Sequence, residues 1–485
     1  EAQEGQVHEM ALFAAKQKLN NLIMFCDYNR VQLTDSLENT LPIDVAAMFG
    51  AHGWKVYEID GHNHGAIWDT INDAQNADKP VMIVGQTIMG KGIPLMEPDG
   101  VADNPAWHGK APKPDVIDEQ LATDELSLSS DEIEMLESFR AERNFNPAPN
   151  QWTNNLTPMP EVNTGTPIEY DADTITDCRS AYGKALLDLA HNNKNVLAGT
   201  ADLGGSVMTK FVKAELPDQH IEYGICEQNM ISVSGALSLA GYIPFASTFG
   251  AFTSSRAKDQ ARVNDINQTN VKMVSTHCGL SVGEDGPTHQ AIDDMGSFLG
   301  MFNTHVIEPA DPNHCDRIIR YVASHHGNFY VRMGRHKLNT LLKEDGSLFY
   351  NKDYQYEYGK CDLYRAGSDL TLVASGPMVN EAIKAVENTN ISAEIIIVNS
   401  PKKFDETLKT SLQKTKKVLI VEDHNGLSGF ASQIALFAVE NGIQIETFKE
   451  LSPKEYQLSG KPLELYASAG IGPIAIEEAL KEFMK

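Results

Sequence analysis

Tyr223-Gly-Ile-Cys-Glu-Gln-Asn-Met-Ile-Ser232 is the stretch that decides how the chain is read. Its apolar lead-in, with Ile221 and Tyr223, reads as a short strand, and Ile231, Val233, Ala236, Leu237, Leu239 and Ala240 recur at helical spacing. Glu227 therefore stands where a strand hands over to a buried helix. A carboxylate in that place is costly unless it meets a partner, because desolvation disfavours the charged form. Alone, it reads as a helix-start Glu that complements the dipole. The residues that follow along the chain give it a chemical role.

Outward from this junction, apolar β-rich runs alternate with helix-length segments over all 485 residues. That alternation is the mark of parallel sheets flanked by helices. The expected fold is α/β, with three consecutive doubly wound, mostly parallel-sheet domains. Residues 1–125 form the first, with strands over 21–27, 55–59 and 81–86, helices over 8–19 and 64–77, and a Gly- and Pro-rich loop over 89–114. An acidic helix over 118–143, with a start signal at Ser130-Asp-Glu, and a Pro-rich linker make up 126–170. The second domain spans 171–335, with strands over 196–199, 220–223, 272–276, 305–308 and 328–331. Helices over 176–191 and 311–323 accompany them, the latter led by Asp311-Pro312. A connector over 336–355 leads to a third domain over 356–485, with strands over 370–374, 393–398 and 418–422.

Net charge is −26, which argues against nucleic acid or an anionic membrane surface as a partner. The charge of a phosphorylated ligand must then be met locally by Arg, His, a cation or helix N-termini. Six scattered cysteines without a Cys-x-x-Cys pair fit reduced thiols in a cytoplasmic protein. No signal peptide or membrane-length apolar run is present. The chain begins at Glu1 in the middle of a pattern, and is expected to be truncated there.

Three constellations carry chemistry. Thr276-His277 is followed by the glycine-rich run Gly283-Glu-Asp-Gly-Pro-Thr-His-Gln290, so one loop after a strand presents His277, Asp285 and His289, where parallel sheets place their ligands. Ser247-Thr-Phe-Gly-Ala-Phe252 adds two aromatics after the next strand; core packing and stacking on a flat heteroaromatic ring both stand open. Near the start, Glu4-Gly5 and Asp27-Tyr-Asn29-Arg-Val31 offer an Asn side chain and a loop carbonyl. These are hard oxygen ligands suited to Mg²⁺ or Ca²⁺, although an Asn at a strand end is more often only a turn residue. His108 lies in a further loop, Asn104 to Pro112.

Taken in order, these signals resemble the transketolases, thiamin-diphosphate enzymes. Glu4-Gly5, Asp27-Tyr-Asn29, Trp107-His-Gly-Lys-Ala-Pro112, Ala201-Asp-Leu with Ser206, Cys226-Glu-Gln, Thr248-Phe249 and the run from Gly283 to Gln290 carry the likeness, which spans nearly the whole chain. It implies transfer of a two-carbon ketol unit from a ketose phosphate to an aldose phosphate in the pentose phosphate pathway. It implies thiamin diphosphate with Mg²⁺ or Ca²⁺ as cofactors and a homodimer with sites at the subunit interface. By resemblance Glu227 meets the aminopyrimidine, Phe249 and Phe252 pack on it, and Asn29 and the Val31 carbonyl hold the metal. His108, His277 and His289 lie near the sugar hydroxyls with Asp285. Arg179, Ser206 and Arg332 clamp the sugar phosphate. Asp202, Glu4 and Gly5 fall on the cofactor side, Asp202 and Glu4 matching buried acids that connect two active sites.

Ser254-Ser-Arg256, in place of a third aromatic, is closer to two-subunit transketolases and deoxyxylulose phosphate synthases. The resemblance also implies a Gly-Asp pair, its Asp a metal ligand, before the position of Glu1. The 485 residues alone are thus expected to bind thiamin diphosphate weakly. Alternatives are a deoxyxylulose phosphate synthase, a 2-oxoacid dehydrogenase β-type subunit, or a non-catalytic paralogue that binds partners.

Overall fold

Strands buried on both faces must be apolar along their whole length, and the run Val81 to Val84 meets that demand. In the computed structural model, which describes residues 1–123, 126–142 and 158–485, it forms the middle of a three-stranded parallel sheet. The strands are β1 (Ile23–Tyr28), β2 (Lys55–Asp60) and β3 (Val81–Gln86), in the order β1-β3-β2. Val81, Met82, Ile83 and Val84 are all buried, each side chain contributing about 1.5–3 kcal/mol over its exposed state. Helices Gly5–Lys16 and Val45–Ala51 cover one face through Ala11, Ala14, Val45 and Phe49. Helix His64–Ala74 covers the other through Ala74. Trp54 locks the first layer: its Nε1 donates to the Ala11 carbonyl at 2.9 Å and its ring meets Phe49 edge-on.

This sheet belongs to the first of two compact units, Glu1–Asn154 and Asn155–Lys485. Two expectations for the first unit change. The loop after β3 contains a helix, Glu97–Val101, with Pro98 in its first turn, where a missing N–H is harmless. The acidic stretch holds two helices, Pro114–Leu121 and Ser130–Glu142. The cap of the second is Ser129, one residue earlier than expected. The Ser129 hydroxyl accepts from the Glu132 amide, and the Glu132 carboxylate accepts from the Ser129 amide. The expected Pro-rich linker lies outside the described residues over 143–157; over 158–170 it has neither helix nor strand.

The second unit opens with β4 (Ile175–Thr176) and continues with β5 (Val196–Thr200), β6 (His220–Glu222), β7 (Ile243–Phe249), β8 (Lys272–Thr276), β9 (Thr304–Ile307) and β10 (Asn328–Arg332). β11 (Leu338–Asn339) pairs antiparallel with β4. The other six form a parallel sheet in the order β6-β5-β7-β8-β10-β9. A second sheet comprises β12 (Asp362–Arg365), β13 (Leu370–Ala374), β14 (Ala393–Ile397), β15 (Lys417–Val421) and β16 (Thr447–Leu451), in the order β12-β14-β13-β15-β16. Only its edge strand β12 runs antiparallel. Leu280, Ile292, Ala310 and Leu341, from the side of the six-stranded sheet, share a core with Leu372, Met378 and Tyr466. The six cysteines are free thiols. Among the described residues no helix is long and apolar enough to cross a membrane.

Candidate active site

The carboxyl ends of β6, β7, β8 and β10 deliver the polar side chains of the second unit to one edge, where a parallel sheet binds its ligands. After β6, Gly224 turns the chain at φ +76 and helix Glu227–Leu239 begins. Glu227 thus lies in a first helical turn, 3% exposed. Its Oε1 accepts from Arg256 Nη1 at 3.0 Å, a partner that sequence reasoning missed because it lies on another helix end. The half-exposed Arg256 guanidinium rests 4.0 Å above the centre of the Phe252 ring.

Phe249 is the last residue of β7 and Phe252 lies in the following helix, Gly250–Ser255, so the two rings stack 5.6 Å apart. His277 follows β8 in a left-handed conformation, φ +59, and its ring stacks on Phe249 at 3.8 Å. Non-glycine residues held there cost on the order of 1–3 kcal/mol, strain typical of functional positions. His289 stands edge-on to Phe252 at 5.3 Å and to Phe249 at 6.1 Å. Burial, with Arg179, Arg335 and His289 nearby, lowers the His277 pKa to about 3, so its ring is neutral. Arg179 Nη1 lies 3.4 Å from Nε2 and can only donate, so Nε2 accepts. The proton therefore sits on Nδ1, which donates to the Thr276 hydroxyl at 2.8 Å.

Arg179, behind the helix cap Asp177, ties three chain segments. Its guanidinium donates to the Ser206 carbonyl at 3.1 Å and to the Arg335 carbonyl at 3.2 Å, and pairs with Asp177 at 3.2 Å. Beside it lies a cavity of about 240 Å³ lined by Arg179, Arg335, His336, Lys337, Ser281 and Glu284, among others. Arg335 reaches Asp285 and Glu284 at 3.7 Å each. Ser206 thus faces Arg179 with its backbone oxygen.

Arg332 does not join this group. It ends β10 inside the core at 1% exposure; its Nε donates to Asp294 at 2.9 Å, its Nη1 to Glu308, and its Nη2 to the Asp423 carbonyl at 3.3 Å. With its donors committed to buried acceptors it has nothing to offer a phosphate. The arginine from this part of the chain that lines the cavity, with Arg179 and Lys337, is Arg335, three residues on, past the strand end. The one signal for it in the sequence is the second arginine of Arg332-Met-Gly-Arg335.

In the first unit, Asn29, Val31 and His108 line a cavity of about 780 Å³ together with Asp27 and Gln32. Asn29 Oδ1 accepts from the Val31 amide at 3.2 Å, closing an Asx turn. Glu4 and Gly5 are absent from the lining: Glu4 caps helix Gly5–Lys16, accepting from the Gln6 amide at 2.7 Å, and both residues are exposed. Asp202, at φ +58 after β5, is also exposed. The burial expected of Glu4 and Asp202 is therefore not supplied by the unit to which each belongs.

The donor sets can be weighed against the groups expected. An amide oxygen and a backbone carbonyl suit a hard divalent cation, and among the described residues no cluster of three or more His, Cys, Asp or Glu could hold a metal. A buried carboxyl beside a stacked aromatic pair suits a flat heterocycle that offers N–H groups. Both sets fit.

Three family models match in succession. "Transketolase, thiamine diphosphate binding domain" matches residues 1–156, "Transketolase, pyrimidine binding domain" 176–340, and "Transketolase, C-terminal domain" 359–476. The transketolase of Homo sapiens is 31% identical over 99% of this chain and 74% of its own length. A putative transketolase C-terminal section from Methanocaldococcus jannaschii is 34% identical over 63% of this chain and 96% of its own. Among solved structures, the Campylobacter jejuni transketolase aligns with a TM-score of 0.73 at 21% identity, covering 99% of this chain and 75% of that one, a likeness of fold. A split-gene transketolase, described as an inactive beta4 tetramer, aligns at 0.56 with 29% identity, covering 64% of this chain and 98% of that one.

Proposed function

The chain belongs to the transketolase family, and from that premise we propose that it reversibly transfers a two-carbon ketol unit from a ketose phosphate to an aldose phosphate. It does so as a cytoplasmic homodimer in the pentose phosphate pathway, with thiamin diphosphate and Mg²⁺ or Ca²⁺. The observation that carries this reading is the buried carboxylate of Glu227, paired with Arg256, beside the stacked Phe249, Phe252 and His277 with His289 edge-on to the phenylalanines.

When bound, thiamin diphosphate supplies the carbanion equivalent that attacks the ketose carbonyl. Glu227 would hold the pyrimidine through a proton shared at its carboxyl, and Phe249 and Phe252 would fix the plane of the ring. Asn29 and the Val31 carbonyl would hold the metal, with His108 in the wall of the same cavity. His277, neutral at working pH, would meet a sugar hydroxyl at Nε2 by exchanging its 3.4 Å contact with Arg179, Nδ1 staying on Thr276, and His289 and Asp285 extend the same loop. Arg179 and Arg335 would take the sugar phosphate, a forked guanidinium being suited to it.

The test is formation of sedoheptulose phosphate from xylulose and ribose phosphates, run beside pyruvate decarboxylation. Glu227→Ala is expected to lower ketol transfer by about 100-fold or more with the circular dichroism spectrum retained. Undiminished transfer would sink the reading.

A further inference from the structure

The loop from Gly279 to Gln290, which bears Asp285 and His289, has little internal structure. It holds two short 3-10 turns, and Gly279, Gly283 and Gly286 take φ of +70, +76 and +78. Arg335 holds its first half through Ser281 and Val282, and further restraint comes from the side of the five-stranded sheet. Asp423, after β15, accepts the Leu280 amide at 2.8 Å. Gly279 lies so close to that carboxylate that a Cβ would come within 2.1 Å of Oδ2. The Ser459 hydroxyl donates to the Glu284 carbonyl at 2.7 Å.

Gln290 makes the closest union. Its side chain, 3% exposed, behaves as an extra peptide unit laid against the segment after β16. Nε2 donates to the Gln457 carbonyl at 2.9 Å and the Leu458 carbonyl at 3.4 Å, while Oε1 accepts the Gln457 amide at 2.9 Å. A single hydrogen bond leaves a swivel; bonds of opposite sense on one backbone segment fix both place and rotation. The neighbour of this pin is His289, on the edge of Phe252.

We propose that Gln290 is a positioning residue for His289, and that by pairing with residues 457–458 it brings the five-stranded sheet into the apparatus that aims the imidazole. The inference rests on the reading that His289 faces the sugar. Truncation at 290 would free the loop end and leave a buried amide and two carbonyls without their partner.

The full chain, with carbon-labelled histidines, is compared with Gln290→Ala and Gln290→Glu. The Glu variant keeps an acceptor for the Gln457 amide but sets a second oxygen against two carbonyls, so both variants are expected to act in the same direction. Amides of residues 283–289 should exchange about tenfold faster or more while those of β13 and β15 hold their rates. The His289 resonance should move, and KM for the sugar phosphates should rise more than kcat falls. Unchanged loop exchange with an unmoved His289 signal overturns the proposal. So does equal loosening of β13 and β15, which marks ordinary packing between the sheets. A moved His289 signal with turnover unaffected upholds the positioning and refutes the sugar-facing role instead.

Discussion

Arg332 and Arg335 are three residues apart and have opposite tasks. Arg332 is locked between Asp294 and Glu308, and removing one partner from such a buried set leaves uncompensated charge. Arg332→Ala is expected to destabilise the second unit by about 3–5 kcal/mol in urea titrations. Arg335, with 39% of its side chain exposed and its acidic contacts at 3.7 Å, holds little stability. Arg335→Ala should shift the unfolding free energy by no more than about 1 kcal/mol and instead raise KM for phosphorylated sugars over unphosphorylated ones. Sequence alone grouped Arg332 with Arg179 because it does not show that β10 leaves the core only after Arg332. Glu227 was legible as buried, but its partner Arg256, 29 residues on, was not: a pairing across two helix ends leaves no local pattern.

Elements were legible in proportion to their burial. β3, β8 and β13 have the expected bounds: β3 and β13 because parallel strands covered on both faces read as largely apolar runs, whereas β8, Lys-Met-Val-Ser-Thr, is only part apolar. The edge strands β12 (Asp-Leu-Tyr-Arg) and β16 (Thr-Phe-Lys-Glu-Leu) mix polar and apolar residues and carry no such mark. Capping chemistry also read well where it is local. Asp311 caps helix Pro312–Ser324, accepting the His314 amide at 2.6 Å, yet it also accepts the Leu341 amide at 2.8 Å from the connector. One side chain thus secures a helix and the chain that leads out of the sheet. Asp311→Ala should cost about 2–4 kcal/mol in chemical denaturation, a lost cap plus a stranded buried amide. Asp311→Asn, which keeps one acceptor, should recover part of that loss.

Across the second unit, buried histidines and buried acids act on stability with opposite signs over overlapping pH ranges. Burial lowers His277 and His314 to about 3 and His336 and His424 to about 4, from an ordinary 6.5. Each therefore gains a proton on unfolding below pH 6.5, and stability falls as the pH drops. Burial raises Asp423 to about 7 and Glu422 to about 8. Each keeps its proton when folded and releases it on unfolding above its ordinary value, 3.8 for Asp423 and 4.5 for Glu422, so its contribution declines as the pH climbs from there to about 7 and about 8. Each such proton contributes a slope of about 1.4 kcal/mol per pH unit within its window, and from pH 6.5 to about 8, above the histidines' range, the acids' slope stands alone. Asp423→Asn, which still accepts the Leu280 amide, should flatten its lower part in denaturation series run from pH 6.5 upward. These experiments have a built-in colour code. Trp54, Trp68, Trp107 and Trp152 are the four indoles of the chain, and all precede Asn155, where the second unit begins. The buried indole of Trp54 will therefore report melting of the first unit, while tyrosine absorbance and far-ultraviolet dichroism also register the second. The spacing between the two melting curves then measures the cooperativity of the whole polypeptide.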